Sequence, residues 1–342
     1  MMNYLLLAIP LAVLAESLDW GPLWIFVFAA AGMVPLAGLL GEATEALADR
    51  MGPRLGGLLN ATMGNAAELI ITIFAIKEGL LDVVKASITG SILGNILLVL
   101  GSSFIVGGLK HGRQRFDRTE AGHKATLLLL ALIALGIPSL FGHAIDEIHH
   151  ANVESLSLST AVVMMAIYIL WVIYTMRNQE GAGRAHGETH HWSVKTALAV
   201  LVVATVGLAY LSEMLVGTLE PVLEIVGWTE FFVGVIIIPI LGNVAEHFVA
   251  IQVAADDEMD LSLEIALGSS LQIALFVAPL LVFISLLMGH PLTLSFNSFE
   301  LSALGAGALI AGMVAQDGES TWLEGAQLIA VYLILALAFF FL

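Results

Sequence analysis

The sequence predicts an all-α polytopic membrane protein of about eleven transmembrane helices, one N-terminal helix followed by two inverted five-helix repeats. Three observations lead there. The 342-residue chain is 59% hydrophobic and 12% charged, against about 25% charged residues in a soluble domain. Apolar runs of about twenty residues, each long enough to cross a bilayer, recur along its whole length. The pentapeptide Gly64-Asn65-Ala66-Ala67-Glu68 returns as Gly242-Asn243-Val244-Ala245-Glu246, 178 positions later.

The apolar runs lie at about 3–17, 22–41, 54–77, 83–108, 121–142, 155–177, 193–213, 229–254, 261–288, 298–316 and 320–341. The first lacks the basic flank of a secretion signal and reads as a membrane helix. The second continues as an amphipathic helix through 43–51. Two polar connectors, 110–120 and 178–191, carry no span. The second, with Gly181, Gly183 and Gly187 and a His-rich end, reads as a flexible linker. His186, His190 and His191 there are a solvated loop in preference to a metal site. The expected divisions are an N-terminal helix at 1–21, a first repeat at 22–177, a cytoplasmic linker at 178–192 and a second repeat at 193–342.

Lys and Arg placement sets the orientation. With the N-terminus in the cytoplasm and the runs alternating, ten of the twelve basic residues lie inside, leaving only Lys77 and Lys85 outside. The C-terminus then lies outside. The two pentapeptides fall on helices of opposite direction, as in the inverted repeats of many secondary transporters. The repeat extends further: Gly90-Ser91-Ile92-Leu93-Gly94-Asn95 answers Gly268-Ser269-Ser270-Leu271-Gln272. Glu68 to Asn95 is 27 residues and Glu246 to Gln272 is 26.

A carboxylate in hydrocarbon is costly, so an intramembrane Glu marks function by default. Glu68 and Glu246 each share a helix face with an Asn three residues earlier, Asn65 and Asn243. Gly64 and Gly242 permit close helix approach or local unwinding. Two carboxylates with amide and carbonyl oxygens form a hard donor set suited to Ca²⁺, and Mn²⁺ is served by the same oxygens. The chain has no cysteine, which excludes disulfides and thiolate metal sites, and few intramembrane histidines. One divalent cation would neutralise both carboxylates, and without it low dielectric and mutual repulsion favour protonation. A site that changes face carrying either metal or protons is an antiporter. A net charge of −17 argues against nucleic-acid partners and for cations.

For Asn95, Gln272, Ser91, Ser269 and Ser270, two readings stand level: ion ligand, or hydrogen-bonding glue between helices. His247 reads equally as a proton relay or a packing histidine. Glu42, Glu45, Glu213, Glu220 and Glu224 lie near span ends and read first as solvated. Asp256, Asp257, Glu258 and Asp260 form an acidic run on the cytoplasmic side, either a solvated loop or a mouth that gathers cytosolic cations. An intramembrane hydrolase would call for paired catalytic Asp or a His-Glu-x-x-His helix, and the spans contain neither. A passive channel normally needs a ring of subunits or a continuous polar lining, which suits an internal inverted repeat less well than alternating access. Homo-oligomerisation is compatible with the sequence.

The paired Gly-Asn-x-x-Glu motifs, with Phe74-Ala75-Ile76-Lys77-Glu78-Gly79, Gly90 to Asn95, His247 and Gly268 to Ile273, resemble the cation/proton exchanger family of Ca²⁺/H⁺ antiporters. The resemblance covers nearly the whole chain from the second span onward. It implies that Glu68 and Glu246 bind Ca²⁺ and protons in alternation, that Asn65, Asn243, Asn95 and Gln272 surround them, and that spans one and six slide to open the site. The related Na⁺/Ca²⁺ exchangers place further acidic and hydroxyl residues around Na⁺ sites. Here the span-four and span-nine positions are amides, so protons are the expected counter-ion and no cofactor is expected. Eukaryotic members often carry a long cytosolic N-terminus and an acidic segment between the halves. Neither shows here, so the expected setting is a bacterial or archaeal plasma (inner) membrane.

Overall fold

The computed structural model describes residues 2–146, 152–177 and 192–342. His186, His190 and His191 and all of the predicted linker except Trp192 lie outside them. After a turn at Met2–Leu5 the helices are α1 Ala8–Ser17, α2 Pro22–Met63, α3 Ala66–Lys77, α4 Leu81–His111, α5 Arg118–Asp146 and α6 Asn152–Arg177. They continue as α7 Val194–Gly217, α8 Leu219–Val226, α9 Glu230–Ala255 and α10 Met259–Met288, α11 Ser298–Val314 and α12 Trp322–Phe341. Among the described residues, eight helices are long and apolar enough to cross a membrane, while α1 and α11 are shorter. The all-helical membrane class is therefore as expected.

The predicted run 54–77 is not one uninterrupted helix. Gly52 leaves helical geometry (φ 77, ψ 168) and Pro53 follows it. Glycine takes the positive φ that ends a helix and proline suits the first turn of the next, so the long α2 is kinked there. The chain breaks again at Gly64-Asn65, and α3 starts afresh at Ala66. Elsewhere the ends are set by caps. Ser193 accepts from Thr196 N–H at the start of α7, while Asn297 with Glu300 and Thr321 with Glu324 form capping boxes on α11 and α12.

Three helices contain π turns, at Gly94–Val99 in α4, Val233–Ile237 in α9 and Ile273–Val277 in α10. Pro239 and Pro279 explain the latter two. Proline has no N–H for the carbonyl four residues back and its ring clashes with it, so the preceding turn widens. The carbonyl that Pro239 cannot meet belongs to Val235. It packs against Gly90 of α4 so closely that a Cβ there would overlap the oxygen. The π turn of α4 contains Asn95 and that of α10 directly follows Gln272, the amides that end the repeated segment.

Packing groups the described chain into two compact units that cut across the sequence halves. One comprises Met1–Phe74, Ala166–Gly227 and Leu241–Ala245; the other comprises Ala75–Met165, Trp228–Ile240 and Glu246–Leu342. In the first, α2 packs along α7, with Leu36 against Gly207. Arg50 donates to the Trp192 carbonyl at 2.7 Å and Tyr210 to Glu16 at 2.6 Å.

In the second unit, the connector after α4 pairs with the one before α12. Gln114–Arg115 (β1) and Glu319–Ser320 (β2) form an antiparallel bridge, and Arg113 meets Glu319 at 2.8 Å. The same connector reaches the α9–α10 turn. The far connector, 290–297, is extended and partly buried, and its N–H groups are taken up by hydroxyls. Leu292 N–H donates to Ser285, Leu294 to Ser157 and Phe296 to Ser139, at 2.8, 3.0 and 2.7 Å. Buried backbone outside a helix or sheet needs such partners, since an unpaired N–H away from water is costly.

Gly90→Ala should destabilise the protein by roughly 1–3 kcal/mol, because the new methyl meets backbone rather than a movable side chain. Gly122→Ala, which has nothing within 4 Å of its Cβ position, should be neutral or slightly stabilising. Thermal unfolding midpoints in detergent test the pair.

Candidate functional site

The first pentapeptide straddles the break between α2 and α3. Because α3 restarts at Ala66, Glu68 falls in its first turn, where the helix dipole favours a negative charge. Asn65 and Glu68 are both 0% exposed. The unit that holds them also contains Gly242 and Asn243, the latter 1% exposed. The Asn243 amide donates to Glu68 Oε2 over a long 3.5 Å. A Cβ at Gly242 would stand 3.2 Å from Glu68 Cβ and 3.3 Å from its Cα, so glycine there lets the two helices touch at the glutamate. Of the two roles the sequence suggested for that glycine, close approach is the one observed. Thr72 hydroxyl bonds back to the Glu68 carbonyl at 2.8 Å and holds the turn.

The other unit holds Glu246, His247, Ser91, Asn95, Ser269 and Gln272. Glu246 is half-buried and accepts a short hydrogen bond from the Ser269 hydroxyl. His247 Nε2 faces Asn95 Oδ1 at 3.2 Å, a bond made when that nitrogen carries the hydrogen. Asn95 is 1% exposed, and its Nδ2 has no hydrogen-bond partner among the described residues. Ser91 is fully buried in α4, Gln272 is half-buried in α10, and Gly64 caps the end of α2. Ser270 is spent on a bond to the Ala266 carbonyl at 2.9 Å, which is the glue role.

The acidic run is largely structural. Gln114, 2% exposed, donates to Asp257 Oδ1 at 2.8 Å and to the Ala254 carbonyl at 3.0 Å. Asp260 accepts from the Asp117 N–H at 2.6 Å, and Lys110 approaches Asp256 at 3.5 Å. Glu258 is exposed. Two of the four carboxylates thus tie the α4–α5 connector to the α9–α10 turn. Asp117 caps α5: the Glu120 and Thr119 N–H groups hold its carboxyl below the usual aspartate range. That contribution is present above the ordinary aspartate range and is lost as pH falls through the depressed value. Among the described residues, no three His, Asp or Glu side chains converge to hold a metal ion.

Sequence reasoning passed over one buried carboxylate. Glu300 is 2% exposed, accepting from Asn297 N–H at 2.8 Å and from the Thr89 hydroxyl of α4 at 3.2 Å. Its signal was legible as Asn-x-x-Glu before an apolar run, a capping box.

Buried carboxylates with amide and hydroxyl partners, carried on long apolar helices, are the equipment of an integral membrane ion carrier. The comparisons narrow that class. The model of the family "sodium/calcium exchanger protein" matches residues 21–177 and 196–341, and the chain belongs to that family. A relative from Aphanothece halophytica named "Ca(2+)/H(+) antiporter" is 43% identical, over 98% of this chain and 95% of its own. The "Ca(2+)/H(+) antiporter ChaA" of Bacillus subtilis is also 43% identical, over 98% and 97%. The solved structure of native YfkE covers all of both chains at 42% identity with a TM-score of 0.89.

Gln114→Ala should cost about 1–3 kcal/mol, since it strips a buried donor from a carboxylate and a carbonyl together. Glu258→Ala should stay within about 0.5 kcal/mol of the parent. Chemical or thermal unfolding separates the structural tie from the exposed carboxylate.

Proposed function

We propose that the protein is a Ca²⁺/H⁺ antiporter that exports cytosolic Ca²⁺ by alternating access, with Glu68 and Glu246 carrying Ca²⁺ and protons in turn. Full-length relatives that bear the antiporter name support the ion pair. The observation that carries the residue assignment is the duplicated Gly-Asn-x-x-Glu, in which each glutamate lies in an apolar helix beside a group able to stabilise its charge. For Glu68 that group is the Asn243 amide, and for Glu246 the Ser269 hydroxyl.

Electrostatics supply the coupling. Ca²⁺ brings two charges and cancels two carboxylates; two protons do the same, so either load is neutral. The empty, doubly ionised site is the costly state and should not cross. Amides suit both states, since they present an oxygen to a cation and an N–H to a carboxylate. Asn65, Asn95 and Gln272, with Ser91, complete the donor set in this reading, and Gly64 and Gly242 let the helices approach. His247 stands where it can pass protons, and the exposed Asp256 and Glu258 draw cations to the mouth. Residues 22–177 and 193–342 act as oppositely oriented halves. The N-terminus lies in the cytoplasm and the C-terminus outside, across a bacterial plasma membrane.

Glu68→Gln and Glu246→Gln should each abolish ⁴⁵Ca²⁺ uptake into inverted vesicles carrying an inside-acid pH gradient; transport retained in both would end the assignment. A Na⁺ gradient should not replace the proton gradient, and added Mn²⁺ tests whether a second hard cation competes. Gly242→Ala should slow Ca²⁺ flux roughly tenfold by displacing Glu68 a few tenths of an ångström, since small misplacements at a reacting site are expensive. Flux at matched protein levels measures it.

A further inference from the structure

Two buried serines stand beside the repeated segments with no role so far. Ser87 lies in α4 one turn before Ser91, and Ser262 lies in α10 two turns before Ser269. Both are 0% exposed, and among the described residues neither hydroxyl has a hydrogen-bond partner. Inside a helix a serine or threonine hydroxyl commonly falls back on the carbonyl four residues earlier. Ser270, Thr72 and Thr205 all do so here. Ser103 and Ser212 also lack a partner among the described residues, but neither lies within two turns of a candidate-site serine.

Their placement is not arbitrary. At about 100° per residue, Ser87 is about 40° from Ser91 and Ser262 about 20° from Ser269. Each unpartnered hydroxyl therefore shares a helix face with a serine of the candidate site, about 6 Å and 10 Å along the axis from it. The two lie on opposite sides. Lys110 and His111 at the end of α4 touch Asp256 and the Ala255 carbonyl, just before α10 begins, so the helices run antiparallel there. Ser262 is consequently offset toward the Asp256–Asp260 connector, and Ser87 away from it.

We infer that Ser87 and Ser262 are the ion-path hydroxyls of the two half-channels, each offering oxygen to a partly dehydrated divalent cation between the candidate site and one membrane face. Ser262 serves the connector face and Ser87 the opposite one. The inference rests on the transport reading above. It accounts for hydroxyls that are buried yet unsatisfied, because each serine finds its partner only when its own side opens and both are enclosed here.

The chain has no cysteine, so Ser87→Cys and Ser262→Cys each introduce a single thiol. Right-side-out and inverted membrane vesicles cycling Ca²⁺ under a pH gradient are treated with a membrane-impermeant cationic methanethiosulfonate on one face at a time. Ser262→Cys should react from the connector face only and Ser87→Cys from the opposite face only. Saturating Ca²⁺ should slow each reaction threefold or more, and modification should block flux. No reaction from either face, or reaction of both thiols from the same face, would overturn the inference. If a cysteine variant does not fold, Ser87→Ala and Ser262→Ala replace it. Each should raise the KM for Ca²⁺ at least threefold when the ion is offered at its own face only, and equal or absent changes on the two faces would overturn it. Wild-type flux separates the two ideas: no proton-driven Ca²⁺ movement defeats the transport reading, whereas normal flux with unreactive thiols defeats this inference alone.

Discussion

A carboxylate within an apolar helix finds no water to carry its charge, so the protein must supply hydrogen bonds, a cation or a proton. Glu68 is enclosed completely, at the first turn of a helix that restarts for it, with an amide alongside. Glu246 lies mid-helix, half-buried, and takes a serine hydroxyl instead. The two copies of one pentapeptide thus reach the same end by different local means: a helix break with its dipole in one, a neighbouring side chain in the other. A group that needs a partner this badly is also a group that will exchange partners, which is what an antiporter requires.

Keeping such groups in place depends on how the helices are allowed to approach. Pro239 and Pro279 each widen the turn before them into a π segment, and the carbonyl freed by Pro239 settles on Gly90. Gly242 performs the analogous service at Glu68. Glycine in these positions is a matter of space: a methyl at Gly90 would overlap backbone, and one at Gly242 would push Glu68 aside by a few tenths of an ångström. The same economy explains the connectors. Segments that leave the helical pattern are held by serine hydroxyls, a two-residue bridge and buried Gln114.

The chain's composition and apolar runs determined its helices, because a bilayer forces every backbone polar group to bond within its own segment. Sequence also exposed the repeated glutamates, since charge is conspicuous where apolar residues dominate, and the caps at Asn297 and Thr321 follow from local spacing alone. Other features needed the tertiary arrangement. Side-chain chemistry says that Ser269, Ser270, Thr89 and Gln114 can hydrogen-bond, but not with whom. Only packing gave Ser269 to Glu246, Ser270 to its own helix, Thr89 to Glu300 and Gln114 to Asp257. The acidic run shows the difference most plainly: four carboxylates close together in sequence invite a cation, yet three meet residues more than a hundred positions away. Partners so distant along the chain are brought together by helix packing, which no local pattern of residues encodes.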